Sequence, residues 1–301
     1  MIDAKDSFSA KQGLLVSFGG KMGSGKDTAA DILEKIAAEH KVHFANKRFA
    51  GKLRECVGVL TGGRFTMANT QTTAEKSAKL PWNAFGDTLA EAQINMILAL
   101  EVAVGSRVVG AEADVDPISK IRVRLAQTSL NLHSSDYQDI VLKALSIVAG
   151  HEYAFDTPVD FKMQITADMT VGKLLQLFGT DVGRNMLGEK TWINAFDRDW
   201  KHAGRTPTLI RDQRFPDELT YIQETSGLTF LVDADKRMST SKTSTTTADG
   251  RSTAHASETS LGDIPRKEFT AVIPNNGTLD ELEAFIRKEI WPLVEARLIG
   301  G

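Results

Sequence analysis

Nine residues near the start of the chain, Gly20-Lys21-Met22-Gly23-Ser24-Gly25-Lys26-Asp27-Thr28, carry its clearest chemical signal. They hold the Gly-x4-Gly-Lys spacing of a loop that cradles phosphate. Glycines let the main chain close round an anion, successive N–H groups turn inward, and the N-terminus of a following helix adds roughly half a positive charge. Lys26 then brings a full charge to the β- and γ-phosphates. The alternative, a glycine-rich turn without a ligand, is disfavoured by the strand and helix patterns on its two flanks.

One departure narrows the chemistry. Asp27 stands directly after Lys26, where a hydroxyl that coordinates Mg2+ is common, and Thr28 follows one place later. A switch GTPase needs the hydroxyl at position 27, and the chain has no Asn-Lys-x-Asp segment for reading guanine. Small-metabolite and nucleotide kinases tolerate the shift, because nucleotide oxygens and water then hold most of the Mg2+ shell.

The second constellation is Leu209-Ile210-Arg211-Asp212-Gln213-Arg214-Phe215-Pro216-Asp217-Glu218. A carboxylate at the C-terminal end of a strand faces the crevice where α/β proteins bind ligands, so Asp212 is placed to orient Mg2+ through water or to hold a substrate group. Arg214 lies close enough along the chain to meet a phosphate, which a planar cation does well. A helix cap at Asp212 and a surface ion pair at Arg214 remain open alternatives.

These groups need a scaffold that brings strand ends together. Residues 13–20 form a short apolar run, and Ala29, Ile32, Leu33 and Ile36 then repeat at helical spacing. A second strand over 42–49 completes β-loop-α-β. A helix is expected over 87–104 and another through Leu174, Leu175 and Leu177, ended by a break at Gly179-Thr180-Asp181. Trp192, Ile193 and Phe196 mark a further helix, and strands follow at 208–210, 228–232 and 269–273. Pro216 opens a helix that Gly227 ends, and Leu279, Leu282, Phe285 and Ile286 mark the closing one. Alternating strands and helices imply a mostly parallel sheet covered on both faces.

Two stretches stand apart. The segment from about 105 to 168 is expected to be an inserted small α+β subdomain, with strands at 120–125 and 161–166 round a helix through Ile140 and Val148. The span 239–253 holds ten Ser or Thr in fifteen residues, so a mobile loop over about 237–254 is expected. It is a candidate lid with cations near its ends, at Lys236-Arg237 and Arg251. Residues 1–12 are polar and unpatterned, an expected flexible extension before one domain over 13–301.

Composition excludes other classes. The 301 residues are 42% hydrophobic and 25% charged, enough to bury a core, and 36 basic against 39 acidic side chains give a net charge of −3. No general basic field draws nucleic acid, so an anion must be held locally. A single cysteine, Cys56, makes neither an internal disulfide nor a thiolate metal site, and burial as a small apolar residue is its expected role. The six histidines lack zinc spacing: His40 and His43 mark the turn after the first helix, and His255 with Glu258 suits a local cap. No apolar run reaches the roughly 20 residues of a membrane helix, and no signal peptide is evident, so a cytoplasmic location is expected.

Taken in order, the Gly25-Lys26-Asp27-Thr28 loop, Lys173 to Asp181, Trp192, Asp212 to Glu218, His255-Ala256-Ser257-Glu258 and Asn275 to Leu282 resemble the deoxynucleoside monophosphate kinases of tailed bacteriophages. The resemblance spans residues 13 to about 100 and 170 to 295. It implies a three-layer α/β/α P-loop NTPase fold, with ATP and Mg2+ used to phosphorylate a dNMP to dNDP in DNA-precursor synthesis. It assigns Gly23, Ser24, Gly25, Lys26, Asp27 and Thr28 to ATP, with Lys26, Arg214 and Asp212 catalytic. Arg54, Lys173, Gln176, Gly179, Trp192, Asp212, Arg214 and Glu218 would hold the acceptor. Lys173 stands where arginine is expected, so a bidentate clamp is not implied there, and Lys52, Lys76 and Lys79 are alternative cations. The expected partners are small-molecule substrates alone, with a homodimer left open. A dephospho-coenzyme A kinase and a non-kinase ATP-binding switch are the competing readings.

Overall fold

The computed structural model describes residues 13–65, 72–105, 134–154, 156–238, 260–262 and 264–299. The described residues fall into two compact units, one made of the chain up to Phe49 together with Phe196 onward, the other of Ala50–Ala195.

The first unit is α/β. Its strands β1 (Leu15–Gly19), β2 (Ala45–Lys47), β3 (Thr208–Gln213), β4 (Leu228–Asp233) and β5 (Ala271–Pro274) form one all-parallel sheet in the order β2-β3-β1-β4-β5. β1 is central and all five of its residues are buried, which explains its continuous apolar run. Helix α1 (Lys26–Glu39) lays Ala29, Leu33 and Ile36 into a core shared with Val16, Phe18 and Phe230. The C-terminal helix, Leu279–Phe285 continued by Ile286–Ile290 and Trp291–Ile299, adds Ile286, Ile290 and Val294 to that core. Leu279 is 61% exposed, so it starts this helix without joining the core. Thr278 caps it, its hydroxyl accepting from Glu281 N while Glu281 reaches back to Thr278 N at 2.7 Å.

Arg211 on β3 fastens α1 to the sheet. It pairs with Asp31 and, at 2.7 Å, with Glu34 on α1, and donates to Asn46 Oδ1 on β2 at 2.8 Å. The middle of α1 is therefore anchored to β3 and, through Arg211, to the edge strand β2 as well as to the core.

The second unit is mainly helical. Helices α2 (Gly51–Leu60), α3 (Leu89–Val104), α4 (Ser134–Ala149) and α5 (Val171–Gln176) gather round Leu60, Phe85, Met96, Leu145, Leu174 and Phe178. Thr88 caps α3 and Thr170 caps α5, each hydroxyl accepting a first-turn amide. Cys56 is fully buried here, and desolvation pushes its thiol far above the usual range, so it behaves as an apolar residue.

Two expectations fail in this unit. The strand expected at 161–166 is absent: Lys162 makes one isolated bridge to Thr88, held by Leu89 N to Phe161 O at 2.9 Å and Met163 N to Asp87 O at 3.0 Å, and the next amide, Gln164 N, turns away to the Tyr153 hydroxyl. Among the described residues, no adjacent extended segment offers it a longer ladder. The break expected at Gly179-Thr180-Asp181 is absent too, because α5 runs on through Leu177–Leu187 in wider π-type turns. Glycine is used there for closeness: a Cβ at Gly179 would lie 2.8 Å from Leu53, and one at Gly183 would collide with the Trp192 ring.

The strand expected at 120–125 and most of the proposed lid lie outside the described residues, as do residues 1–12 and His255 with Glu258. The inserted subdomain expected at 105–168 falls within the second unit. Among the described residues, no helix is long and apolar enough to cross a membrane.

Candidate functional site

The loop that follows β1 sits where connections diverge. From β1 the chain runs to β2 at one edge of the sheet, and from its neighbour β4 it runs to β5 at the other. Such a divergence opens a crevice beyond the carboxyl ends of the strands.

The loop is built to close on itself. Gly20 has φ 141°, and a Cβ there would stand 2.6 Å from Val232 O on β4 and 2.8 Å from Ser24 Oγ. Gly25 has φ 90°, and a Cβ there would collide with Asn275 Nδ2. Ser24 N closes a turn onto Lys21 O at 3.1 Å. Gly25 occupies the N-cap position of α1 and offers no side chain to the first-turn amides. The Ser24 hydroxyl oxygen is buried without a hydrogen-bond partner. An orphaned polar atom beside a helix N-terminus, in a turn that leaves no room for a Cβ at Gly20 or Gly25, suits an anionic oxygen.

Lys26 is 9% exposed and its ammonium donates to Gly20 O and Lys21 O, both at 2.7 Å. It is thus folded over the loop rather than spread into solvent. Asp27 and Thr28 are exposed, and Asp27 pairs with Arg48 at 2.9 Å.

At the end of β3, Asp212 is 7% exposed and its Oδ1 accepts from Phe49 N at 2.9 Å. It therefore lies in a strand, not at a helix cap. Gln213 is fully buried, accepting from Ser17 Oγ at 2.8 Å. Helix α7 (Pro216–Glu224, after the intervening α6, Thr191–His202) carries Glu218, whose Oε2 accepts from Arg214 N at 2.6 Å and Phe215 N at 3.1 Å. Burial pushes its carboxyl up to about 8, with Asp212 adding repulsion and the two amide bonds working the other way. Arg214 itself is half-buried.

The remaining acceptor candidates belong to the second unit. Arg54 on α2, Gln176 on α5 and Gly179 in the π-type turns are buried. Lys173 pairs with Asp168 at 2.8 Å. Trp192 is 4% exposed, and its Nε1 donates to Gly179 O at 2.6 Å. The loop residues and Asp212, Arg214 and Glu218 are thus gathered in one unit, and the other five lie in the other.

No protein-family model and no curated protein matches the chain.

Three residues escaped the sequence reading as contributors to the loop. Asn275 Nδ2 donates to Ser24 O at 2.8 Å, Arg237 Nη2 to Gly23 O at 3.2 Å, and Arg48 holds Asp27. A signal was present: each follows closely on a strand of a parallel sheet, at the carboxyl end where ligand loops converge.

Proposed function

We propose that the chain is a deoxynucleoside monophosphate kinase of the three-layer α/β/α P-loop type, with the second unit inserted in it, transferring the γ-phosphate of ATP to a dNMP. The observation that carries the reading is the loop after β1, with its self-closing glycines, its buried and unpartnered Ser24 hydroxyl and the Lys26 ammonium folded over it. The resemblance of the ordered motifs supplies the acceptor class.

Phosphoryl transfer needs no covalent nucleophile. It needs two phosphate groups aligned, their charge neutralised and water kept away. The amides at the start of α1 and the Lys26 ammonium are suited to bind the triphosphate, and the Ser24 hydroxyl to donate a hydrogen bond to one of its oxygens. Mg2+ bound to the nucleotide would neutralise developing charge, and Asp212 and Thr28 are the nearby groups of this chain suited to orient its water shell. Arg214 is assigned to acceptor phosphate contact. Glu218, holding two amides, is assigned to shaping the turn that carries Arg214.

The test is ADP formation in a coupled assay with each common dNMP, with dephospho-coenzyme A and with no acceptor. ADP that appears only with a dNMP supports the reading. Turnover with dephospho-coenzyme A alone, or turnover needing no acceptor, replaces it with one of the competing readings.

A further inference from the structure

We propose that Asn275 and Asn276, the pair directly after β5, are positioning residues that set the conformation of the loop after β1 and so its grip on a nucleoside triphosphate. The inference rests on the reading of residues 20–28 as the ATP loop.

Asn275 is 6% exposed, and its main-chain N–H donates to Asp233 O at 2.7 Å, which fixes it against the end of β4. From that anchor its Nδ2 donates to the Ser24 carbonyl at 2.8 Å. In a planar trans peptide the C=O and the following N–H point to opposite sides. Holding the Ser24 carbonyl towards Asn275 therefore turns the Gly25 N–H the other way, towards the interior of the loop. Were that carbonyl to swing inward, it would present a negative dipole where an anion is to bind. The collision that any Cβ at Gly25 would make with Asn275 Nδ2 shows how closely the two are fitted.

Asn276 acts on the same loop through a second contact. Its Oδ1 accepts from Lys236 N at 3.1 Å and Arg237 N at 3.2 Å, closing the helical turn Asp235–Met238. That turn delivers Arg237 Nη2 to Gly23 O at 3.2 Å, and Lys21 is tied to Asp235 at 2.7 Å. The ends of β4 and β5 thus hold the loop at Lys21, Gly23 and Ser24.

Asn275→Asp keeps the shape but loses the donor, since an ionised carboxylate only accepts. Two readouts are compared with wild type: amide hydrogen exchange of residues 20–26 in nucleotide-free protein, and the KM values for ATP and for the dNMP. Asn275→Asp is expected to speed exchange in the loop and raise the ATP KM, each about tenfold, the size of one lost hydrogen bond. The dNMP KM stays near wild type even where the buried carboxylate lowers the melting temperature by a few degrees. Asn276→Ala, at an exposed position, is expected to raise the ATP KM about threefold by the same route. Unchanged loop exchange and ATP KM in Asn275→Asp overturn the proposal, as does an equal rise in both KM values with a lowered melting temperature, which marks general destabilisation. Should Asn275→Asp fail to fold, Asn276→Ala decides, and a wild-type ATP KM there overturns it. Should the wild type itself neither bind ATP nor turn over, the ATP reading fails, while the exchange comparison still decides whether Asn275 orders the loop.

Discussion

The main-chain N–H of Phe49 donates to Asp212 Oδ1 at 2.9 Å, joining two positions 163 residues apart in sequence. One carboxylate oxygen of Asp212 is therefore engaged in holding the chain that leaves β2, and the catalytic assignment must lie with the charge of the group. The two roles separate by substitution. Asp212→Asn retains an oxygen to accept from Phe49 and is expected to melt within a few degrees of wild type while turnover falls about 100-fold, the scale of lost electrostatic support. Asp212→Ala also leaves the Phe49 amide unmet and is expected to cost about 1–3 kcal/mol in denaturant unfolding. An Asn variant with full activity confines Asp212 to the structural role.

Glu218 sets a pH dependence of stability. Its folded-state value of about 8 lies above the ordinary 4.5, so the folded chain holds the proton more tightly than the unfolded chain. The contribution is complete below about pH 4.5 and is lost as pH rises through 8, with a slope of up to about 1.4 kcal/mol per pH unit between them. Denaturant unfolding from pH 5 to 9 is expected to show this decline in wild type and a flatter profile in Glu218→Gln, which still accepts the Arg214 and Phe215 amides. Parallel profiles for the two proteins contradict the assignment.

Lys26 contacts two carbonyls of its own loop, so its removal leaves the core untouched. Lys26→Ala is expected to unfold within about 1 kcal/mol of wild type. Its kcat/KM is expected to drop about 1,000-fold or more through lost charge stabilisation in the transition state. Near-normal turnover removes Lys26 from the chemistry.

Trp192 tests the boundary between core and acceptor site. Its ring lies against Gly183, so Gly183→Ala is expected to destabilise the chain by about 1–3 kcal/mol, as overpacking does. Trp192→Phe loses the bond to Gly179 O and is expected to cost about 1 kcal/mol while the dNMP KM stays unchanged. A KM rise in Trp192→Phe without loss of stability marks the indole as an acceptor contact.

The sheet was legible where periodicity is strong. The apolar run before Gly20, the stripe through Ala29, Leu33 and Ile36, and Pro216 ahead of its helix each led to the observed element. The misreadings arose where long-range packing outweighed local pattern. Alternation at 161–166 suggested a strand, yet a strand needs a partner, and among the described residues its one ladder contact is the Thr88 bridge. Gly179 suggested a break, yet Leu53 requires its small size inside a continuous helix, as the Trp192 ring does at Gly183. In the candidate site, the glycine and lysine spacing drew attention to a loop that the structure shows folded on itself at Gly20 and Lys26, whereas Asn275 donates to Ser24 from 251 positions away, a relation created by the order of strands in the sheet.

The most direct measurement follows the label from [γ-32P]ATP after incubation with the protein and each dNMP, separating the products by chromatography. The account predicts label in the β-position of a dNDP, formed in step with ADP and abolished by Lys26→Ala. Label found only in inorganic phosphate, or retained in ATP with every dNMP, contradicts it.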